Sequence, residues 1–136
     1  MTIELTDIDH VGIAVSDLEA SVAEYSRLLG VEPNHRERVD DQGVEEVLLA
    51  VGSSYIQLLG ALEPDTSVGR FLTSRGAGVH HVAYRVDDIE RALANLRAEG
   101  AQLVDEAPRA GSRNTLIAFL HPRAMGGVLV ELVQER

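Results

Sequence analysis

One segment of the chain occurs twice, and this internal repeat constrains the fold more than any other feature of the sequence. The segment IDHVGIAVSDLEASVAEY (residues 8–25) aligns with VHHVAYRVDDIERALANL (residues 79–96) at a shift of 71 residues. The alignment matches His10 with His81 and repeats the apolar and acidic pattern around both histidines. Self-similarity at a fixed spacing is typical of folds built from duplicated units. The sequence therefore predicts two modules of one design.

Each copy of the repeat has the pattern of a short apolar strand followed by a helix. The segments Ser16–Glu19 and Asp87–Glu90 have the spacing of a capping box and predict where the helices start. Apolar residues then recur at helical spacing, and Gly30 and Gly100 stand where the two helices should end. Both copies therefore predict a strand and an amphipathic helix in the same order.

Three more strands are expected after each of these helices. They are predicted near residues 35–40, 44–51, 54–59, 102–106, 115–120 and 128–133. A short helix over Ser67–Arg75 is expected to link the halves. The sequence thus predicts one α+β domain, residues 1–136, made of paired βαβββ modules at about residues 7–60 and 78–134.

The composition excludes several classes of chemistry. The sequence has no cysteine, and all 12 basic residues are arginines, which excludes disulfides, thiolate metal ligands and lysine catalysis. A formal net charge of −10 disfavours nucleic acid as a partner. No apolar run approaches the roughly 20 residues of a membrane span, and the N-terminal residues lack a signal-peptide pattern. We expect a cytoplasmic protein without a membrane partner.

The repeat also pairs side chains that could ligate a metal. Strand alternation gives His10 and His81 equivalent faces, and SYIQLLG aligns with VLVELVQ so that Gln57 matches Glu131. If the modules pack about a pseudo-twofold axis, these four donors meet in one cleft. Imidazole, amide and carboxylate groups together suit a divalent cation. Taken alone, His10 is better explained by a role in the core or in capping, and Gln57 by a position on a half-buried strand. Chance placement would not put both pairs of residues at positions related by the same repeat.

Six motifs make the chain resemble the methylmalonyl-CoA epimerase family of the vicinal oxygen chelate superfamily. They are DHVGIAV, DQGVEEVLL, YIQLLGAL, VGRFL, GVHHVAYRV and FLHP followed by GGVLVEL. The resemblance implies a homodimer that acts on a small acyl-CoA, interconverting (2R)- and (2S)-methylmalonyl-CoA by abstraction of the C2 proton through an enolate. It also implies a divalent metal ion, with Co²⁺ favoured and Mn²⁺, Ni²⁺ and Zn²⁺ as alternatives.

The resemblance implies roles for individual residues. The implied metal ligands are His10, Gln57, His81 and Glu131. The implied acid/base is Glu46, three residues after a glycine, with Glu131 as the candidate on the opposite face of C2. Glu45 is the alternative to Glu46. Strand alternation favours Glu46, because it shares a face with the apolar Val44 and Leu48.

The loops of the second half supply candidates for the CoA phosphates. Arg109, Arg113 and Arg123 lie in loop-like segments, although each is equally well explained as a solvated surface residue. His121 is interpreted as a loop-positioning residue, and His35 as a surface residue. His80 points away from the face of His81 and is left out of the site, and the chain departs from the family around Gly60–Leu62 and after Arg123.

Three other functions are compatible with the same fold. A glyoxalase I-like lyase acting on a glutathione hemithioacetal would use a similar metal centre, but many glyoxalases carry glutamate at the position of Gln57. An extradiol dioxygenase would need only two histidines and one glutamate around iron. A protein that sequesters a small molecule, as in bleomycin resistance, would lack the metal-binding set. The epimerase is therefore the preferred interpretation.

Overall fold

The computed structural model describes residues 3–136, which form eight strands and three α-helices. In chain order these are β1 (Asp7–Ala14), α1 (Leu18–Leu29), β2 (Pro33–Val39), β3 (Val44–Val51), β4 (Ser54–Ala61), α2 (Ser67–Arg75), β5 (Gly78–Arg85), α3 (Ile89–Ala98), β6 (Arg109–Ala110), β7 (Thr115–Leu120) and β8 (Val130–Glu135). On either side of α2 the order is βαβββ. The predicted α+β class and paired βαβββ modules are therefore confirmed.

The chain forms two compact units whose boundaries fall inside β1 and β5. The central unit contains His10–His80, and the split unit contains residues 3–9 together with His81–Arg136. The N-terminal segment is attached to the split unit, where the Thr6 backbone N–H donates to the Arg85 carbonyl oxygen at 2.9 Å. Each unit thus includes the first residues of the strand whose histidine belongs to the other unit.

The central unit is built on strands in the order β2-β3-β4-β1. Strand β1 runs parallel to β4, and β3 runs antiparallel to β4. Helix α1 covers one face, where Leu18, Val22 and Tyr25 pack against a cluster that contains Leu49 and Leu58. These are the apolar helix positions that the sequence predicted. Burying such a stripe against a sheet is what stabilises a helix of this length.

Helix α2 packs on the other face of the central unit and starts at a side-chain cap. The Thr66 hydroxyl accepts a hydrogen bond from the Gly69 backbone N–H at 3.0 Å. The buried Val68 then packs with Ala14, Val44 and Leu59 of the sheet. The predicted linking helix is confirmed with the expected bounds, Ser67–Arg75.

The split unit repeats this design with strands in the order β5-β8-β7-β6. Strand β5 runs parallel to β8, and β7 runs antiparallel to β8. Helix α3 buries Ile89 and Leu93 against a cluster that includes Ala118 and Leu132. The opposite face carries a second apolar cluster of Ala83, Ile117, Phe119 and Val133.

The helix starts differ from the prediction by one residue. Asp17 and Asp88 are the N-caps, and each carboxylate accepts a backbone N–H three residues later. Ser16 and Asp87 had been expected to start the helices because a glutamate follows each of them by three residues. At Asp17 and Asp88 a charged side-chain oxygen lies at the positive end of the helix dipole, which stabilises the start of each helix.

The strand predicted near residues 102–106 is wrong. This segment contributes only an isolated bridge between Leu103 and Leu120, and the short β6 follows at Arg109–Ala110. The Asp105 carboxylate accepts the Phe119 backbone N–H at 2.8 Å, so a side chain takes the place of a backbone partner there. Asp and Asn compete with regular pairing in this way.

The start of β8 lies at Val130, two residues later than expected. Gly126 and Gly127 precede it with φ angles of 66° and 99°, a left-handed conformation that glycine adopts without strain. Within residues 3–136, none of the helices has the length and apolar character that crossing a lipid bilayer requires.

Replacing Gly69 with alanine should destabilise the protein by about 2 kcal/mol, because an added methyl group would be forced against the backbone carbonyls of Glu63 and Pro64. The matched control is Gly78→Ala, where the added atom meets open space. Urea unfolding followed by circular dichroism measures both. Equal unfolding midpoints for the two variants would contradict this account of α2 packing.

Candidate active site

Three polar side chains are buried on one face of the central unit. His10, Glu46 and Gln57 are only 2–5% exposed, and they lie on the face that α1 does not cover. The register explains why they share it. Gly12 pairs with Gln57 and Leu59 pairs with Glu46, and residues two apart on a strand point to the same side.

A hydrogen bond joins two of these side chains. The Gln57 amide nitrogen donates to Glu46 Oε1 at 3.1 Å. Within residues 3–136, the Gln57 carbonyl oxygen Oε1 is buried and accepts no hydrogen bond from the protein. An unsatisfied buried polar atom lowers the stability of the fold by about 1–3 kcal/mol, so a ligand that bonds to this oxygen would stabilise the protein.

The neighbouring glutamate lies in a different environment. The Glu45 side chain is 40% exposed and its carboxylate pairs with Arg36 at 2.9 Å. Arg36 also pairs with Glu19 of α1. Glu45 therefore belongs to a surface ion network, whereas Glu46 faces the buried polar set, as strand alternation predicted.

The split unit carries the matching pair. His81 and Glu131 are both buried, with His81 Nε2 3.0 Å from Glu131 Oε1. The His81 ring also packs edge-on against Phe119, with ring centroids 5.5 Å apart. Ala83, two residues after the histidine, pairs with Glu131, as Gly12 pairs with Gln57 in the central unit. The repeat seen in the sequence is thus a repeat of strand register.

The two units differ in the side chain that stands beside Gln57 in one copy and beside Glu131 in the other. Glu46 pairs with Leu59, two residues after Gln57, and Ile117 pairs with Val133, two residues after Glu131. Ile117 therefore stands where the central unit has a carboxylate, and it is buried among apolar side chains. Of the two copies, the central unit alone has a carboxylate at this point of the fold.

The donors present suit a divalent cation. Histidine nitrogens favour cobalt, nickel, zinc and iron, and carboxylate and amide oxygens extend the range to manganese. His81 Nε2 and Glu131 Oε1 lie close together at 3.0 Å, and the Gln57 oxygen lacks a protein partner, so these residues could hold such an ion.

Comparison with known proteins settles the family. The sequence model of the Glyoxalase/Bleomycin resistance protein/Dioxygenase superfamily matches residues 9–119. The chain belongs to this superfamily. Other enzymes of this superfamily bind a divalent metal ion, in keeping with the buried donors of both units.

Individual relatives place the chain more narrowly within the superfamily. Methylmalonyl-CoA epimerase from Mycobacterium tuberculosis is 42% identical, with a TM-score of 0.96 and coverage of 100% of this chain and 92% of that chain. A methylmalonyl-CoA epimerase in complex with methylmalonyl-CoA and NH4+ is 41% identical, with a TM-score of 0.95 and coverage of 97% and 96%. The ethylmalonyl-CoA/methylmalonyl-CoA epimerase of Cereibacter sphaeroides is 36% identical over 93% of this chain and 96% of its own length. The predicted glyoxalase-like fold and the resemblance to this family are confirmed.

This superfamily member also has a buried ionic cluster that the sequence did not reveal. Asp9 is fully buried in the split unit. Its Oδ1 accepts from Arg85 at 2.8 and 3.0 Å, and its Oδ2 accepts from Arg113 at 2.8 Å. Burial acts to lower the pKa of Arg85, but hydrogen bonding and attraction from Asp9 outweigh burial and leave this pKa raised. The only signal in the sequence was an aspartate inside an apolar strand.

The cluster fixes a strained loop. Arg113 and Asn114 have φ angles of 54° and 56°, which side chains other than glycine adopt at a cost. The ion pair between Arg113 and Asp9 holds this conformation in place. Arg113 is therefore committed to the fold, which argues against the phosphate contact considered from the sequence.

The other candidate arginines differ in their surroundings. Arg109 pairs with Asp105 at 3.2 Å and lies 5.8 Å from the centre of the Phe119 ring. The Arg123 guanidinium has no ion-pair or hydrogen-bond partner within residues 3–136. Of the three, Arg123 remains the best placed to meet an anionic ligand.

The remaining histidines have structural contacts. His121 Nδ1 accepts the Arg123 backbone N–H at 3.1 Å, as expected for a loop-positioning residue. His80 contacts the Ser67 hydroxyl at 3.2 Å and packs edge-on against Phe71 of α2. His35 pairs with Glu37 at 2.8 Å. His10 and His81, by contrast, are the buried histidines of the two units.

Replacing Asp9 with asparagine should lower the free energy of unfolding by about 3 kcal/mol, because it leaves two largely buried guanidinium groups without their counter-charge. The control is Asp65→Asn, whose side chain is 95% exposed and pairs with Arg70, and which should change stability little. Guanidinium chloride titration would measure both. A wild-type unfolding midpoint for Asp9→Asn would refute the stabilising role of the cluster.

Proposed function

We propose that the protein is a methylmalonyl-CoA epimerase, which interconverts the (2R) and (2S) epimers by moving the proton on C2. The observation that carries this proposal is the buried Glu46, held by Gln57, in a chain that matches enzymes of this name over nearly their full length. The same enzymes define the substrate class as an acyl-CoA with a carboxylate on C2.

The proposed metal ligands are His10, Gln57, His81 and Glu131. Their support is the repeat in sequence and register, the Gln57 oxygen that has no protein donor, and the close pair of donor atoms in the split unit. A bound divalent cation supplies Lewis-acid stabilisation for negative charge that develops on the thioester and carboxylate oxygens. Co²⁺ is the proposed ion, with Mn²⁺, Ni²⁺ and Zn²⁺ as alternatives.

Glu46 is the proposed base on one face of C2. The hydrogen on C2 lies between a thioester carbonyl and a carboxylate, so its removal leaves charge that is shared with the carbonyl oxygen. As a carboxylate, Glu46 accepts this proton and can return it. General base catalysis by a placed carboxylate contributes about 10²–10⁴-fold in rate.

Glu131 is the proposed group on the opposite face. Epimerisation requires a proton to leave one face and arrive on the other, so a second acid/base group is needed. Ile117 occupies the position equivalent to Glu46 and cannot transfer a proton. Glu131 is the carboxylate next to that position in the split unit, which supports its assignment.

The assembly, location and CoA contacts stay predictions. A homodimer follows from the family resemblance, and a cytoplasmic location without nucleic-acid or membrane partners follows from the charge and composition. Arg123 is the proposed contact for a CoA phosphate, because its guanidinium has no partner within residues 3–136. Light scattering after size-exclusion chromatography tests the dimer.

Glu46→Gln should slow deuterium exchange at C2 of methylmalonyl-CoA by about 10²–10⁴-fold in the cobalt-loaded protein, because the amide cannot accept the proton. The neighbouring Glu45→Gln is the matched control, and it should exchange at the wild-type rate because Glu45 pairs with Arg36 on the surface. Proton NMR in deuterium oxide follows the C2 signal. A larger loss in Glu45→Gln than in Glu46→Gln would reverse the assignment.

His81→Ala should weaken Co²⁺ binding by at least about 100-fold, because it removes one proposed ligand and leaves the Glu131 carboxylate without its 3.0 Å neighbour. The adjacent His80→Ala should bind Co²⁺ normally, since His80 contacts α2 instead. Isothermal titration calorimetry gives both affinities. Equal affinities for the two variants would exclude His81 as a ligand, and a metal-independent affinity for small molecules would favour the sequestering alternative.

A further inference from the structure

We propose that Gln57 is a positioning residue for Glu46 and that the reaction requires an amide, not a carboxylate, at this position. In this arrangement the amide nitrogen holds one oxygen of the Glu46 carboxylate, while the amide oxygen is left for the cation. The inference rests on the proposed function, because it assigns a second task to one proposed metal ligand.

The chemistry of the two side chains fixes the direction of the amide. An ionised carboxylate only accepts hydrogen bonds, so Glu46 must face the NH₂ end of Gln57. The 3.1 Å contact from the Gln57 nitrogen to Glu46 Oε1 has this polarity. The Gln57 oxygen then necessarily points away from Glu46, and it is the buried atom that lacks a protein donor. One hydrogen bond thus orients both the base and the ligand atom.

The strand register makes the length of the side chain matter. Gln57 pairs directly with Leu48, and Glu46 lies one diagonal step away on the same face. Diagonal neighbours across antiparallel strands are about 7–8 Å apart, so two long side chains are needed to meet. Glutamine reaches this far, and glutamate would have the same reach but no N–H to donate.

The other module provides an internal control for this interpretation. There the equivalent of Gln57 is the carboxylate Glu131, and the equivalent of Glu46 is the apolar Ile117. The amide therefore occurs in the copy that has a carboxylate at the position of Glu46, and the carboxylate occurs in the copy that has an apolar side chain there. A ligand role alone would be served by a carboxylate in both copies.

Holding the base matters because proton transfer is sensitive to geometry. The hydrogen bond restricts rotation of the Glu46 carboxylate, which is buried at 2% exposure and shares its strand face with the apolar Val44 and Leu48. A displacement of about 1 Å at a reacting group can cost about 10²-fold in rate. Replacing the amide nitrogen by oxygen would also bring two carboxylates together and push Glu46 away from this position.

The decisive variant is Gln57→Glu, which keeps side-chain length and an oxygen ligand but removes the donor. We expect Co²⁺ affinity within about tenfold of wild type by calorimetry, because carboxylate oxygen is a suitable ligand. At saturating Co²⁺, the rate of C2 deuterium exchange should fall by about 10²-fold. Gln57→Ala, which lacks both groups, should lose Co²⁺ affinity as well as exchange.

A double-mutant cycle separates positioning from a general structural effect. If Gln57 acts through Glu46, Gln57→Glu should cause little further loss of the residual exchange in a Glu46→Gln background. The same fold-loss in both backgrounds would overturn the proposal, as would wild-type exchange in Gln57→Glu with cobalt bound. Should Gln57→Glu fail to fold by circular dichroism, Gln57→Met, of similar length and without a donor, takes its place in the same cycle, at a Co²⁺ concentration that calorimetry shows to saturate each variant.

The exchange rate of the wild-type protein distinguishes a failure of this proposal from a failure of the proposed function. Absence of exchange at C2 in the cobalt-loaded wild-type protein would refute the epimerase itself. Exchange in the wild type together with an unchanged rate in Gln57→Glu would refute only the positioning role.

Discussion

The parallel pairing of the first and last strand of each module is the constraint on which the site depends. In the central unit it sets Gly12 opposite Gln57, and in the split unit it sets Ala83 opposite Glu131. Because alternate residues of a strand face the same side, this register brings a histidine and an oxygen donor to one face in each module. A slip of one residue would turn one member of each pair to the opposite face. The backbone pairing of the strands thus determines which polar side chains share a face in each module.

The buried polar groups are of two kinds, and their partners distinguish them. Asp9 is neutralised by two arginines of its own unit, so its charge is satisfied by the protein. Gln57 keeps a buried oxygen for which residues 3–136 supply no donor, and that oxygen belongs to the proposed site. Burying polar atoms costs free energy in both cases. In the first case the fold recovers the cost through ion pairing, and in the second a bound ligand would recover it.

Much of the fold and of the candidate site could be predicted from the sequence, because both depend on periodicity. Strand alternation placed Glu46 rather than Glu45 among buried residues, and the duplicated histidine located the donors of each unit. Failures arose where a side chain replaces a backbone partner. Asp105 bonds the Phe119 backbone in a segment predicted as a strand, and Asp9 finds partners 76 and 104 residues away in sequence. Such contacts depend on three-dimensional proximity, which periodicity does not encode.

The apolar side chain of Ile117 makes the two copies of the module chemically different. A perfectly repeated pair of modules would carry the same side chain at this register position, whereas here one copy has a carboxylate and the other a hydrocarbon side chain. Two epimers that differ at a single carbon far from the stereocentres of CoA have nearly equal energies in solution. A protein whose two copies differ can nevertheless bind them unequally. By microscopic reversibility, the epimer held more tightly must turn over more slowly in compensation, so the divergence of the copies shapes the kinetics of each direction and leaves the equilibrium untouched.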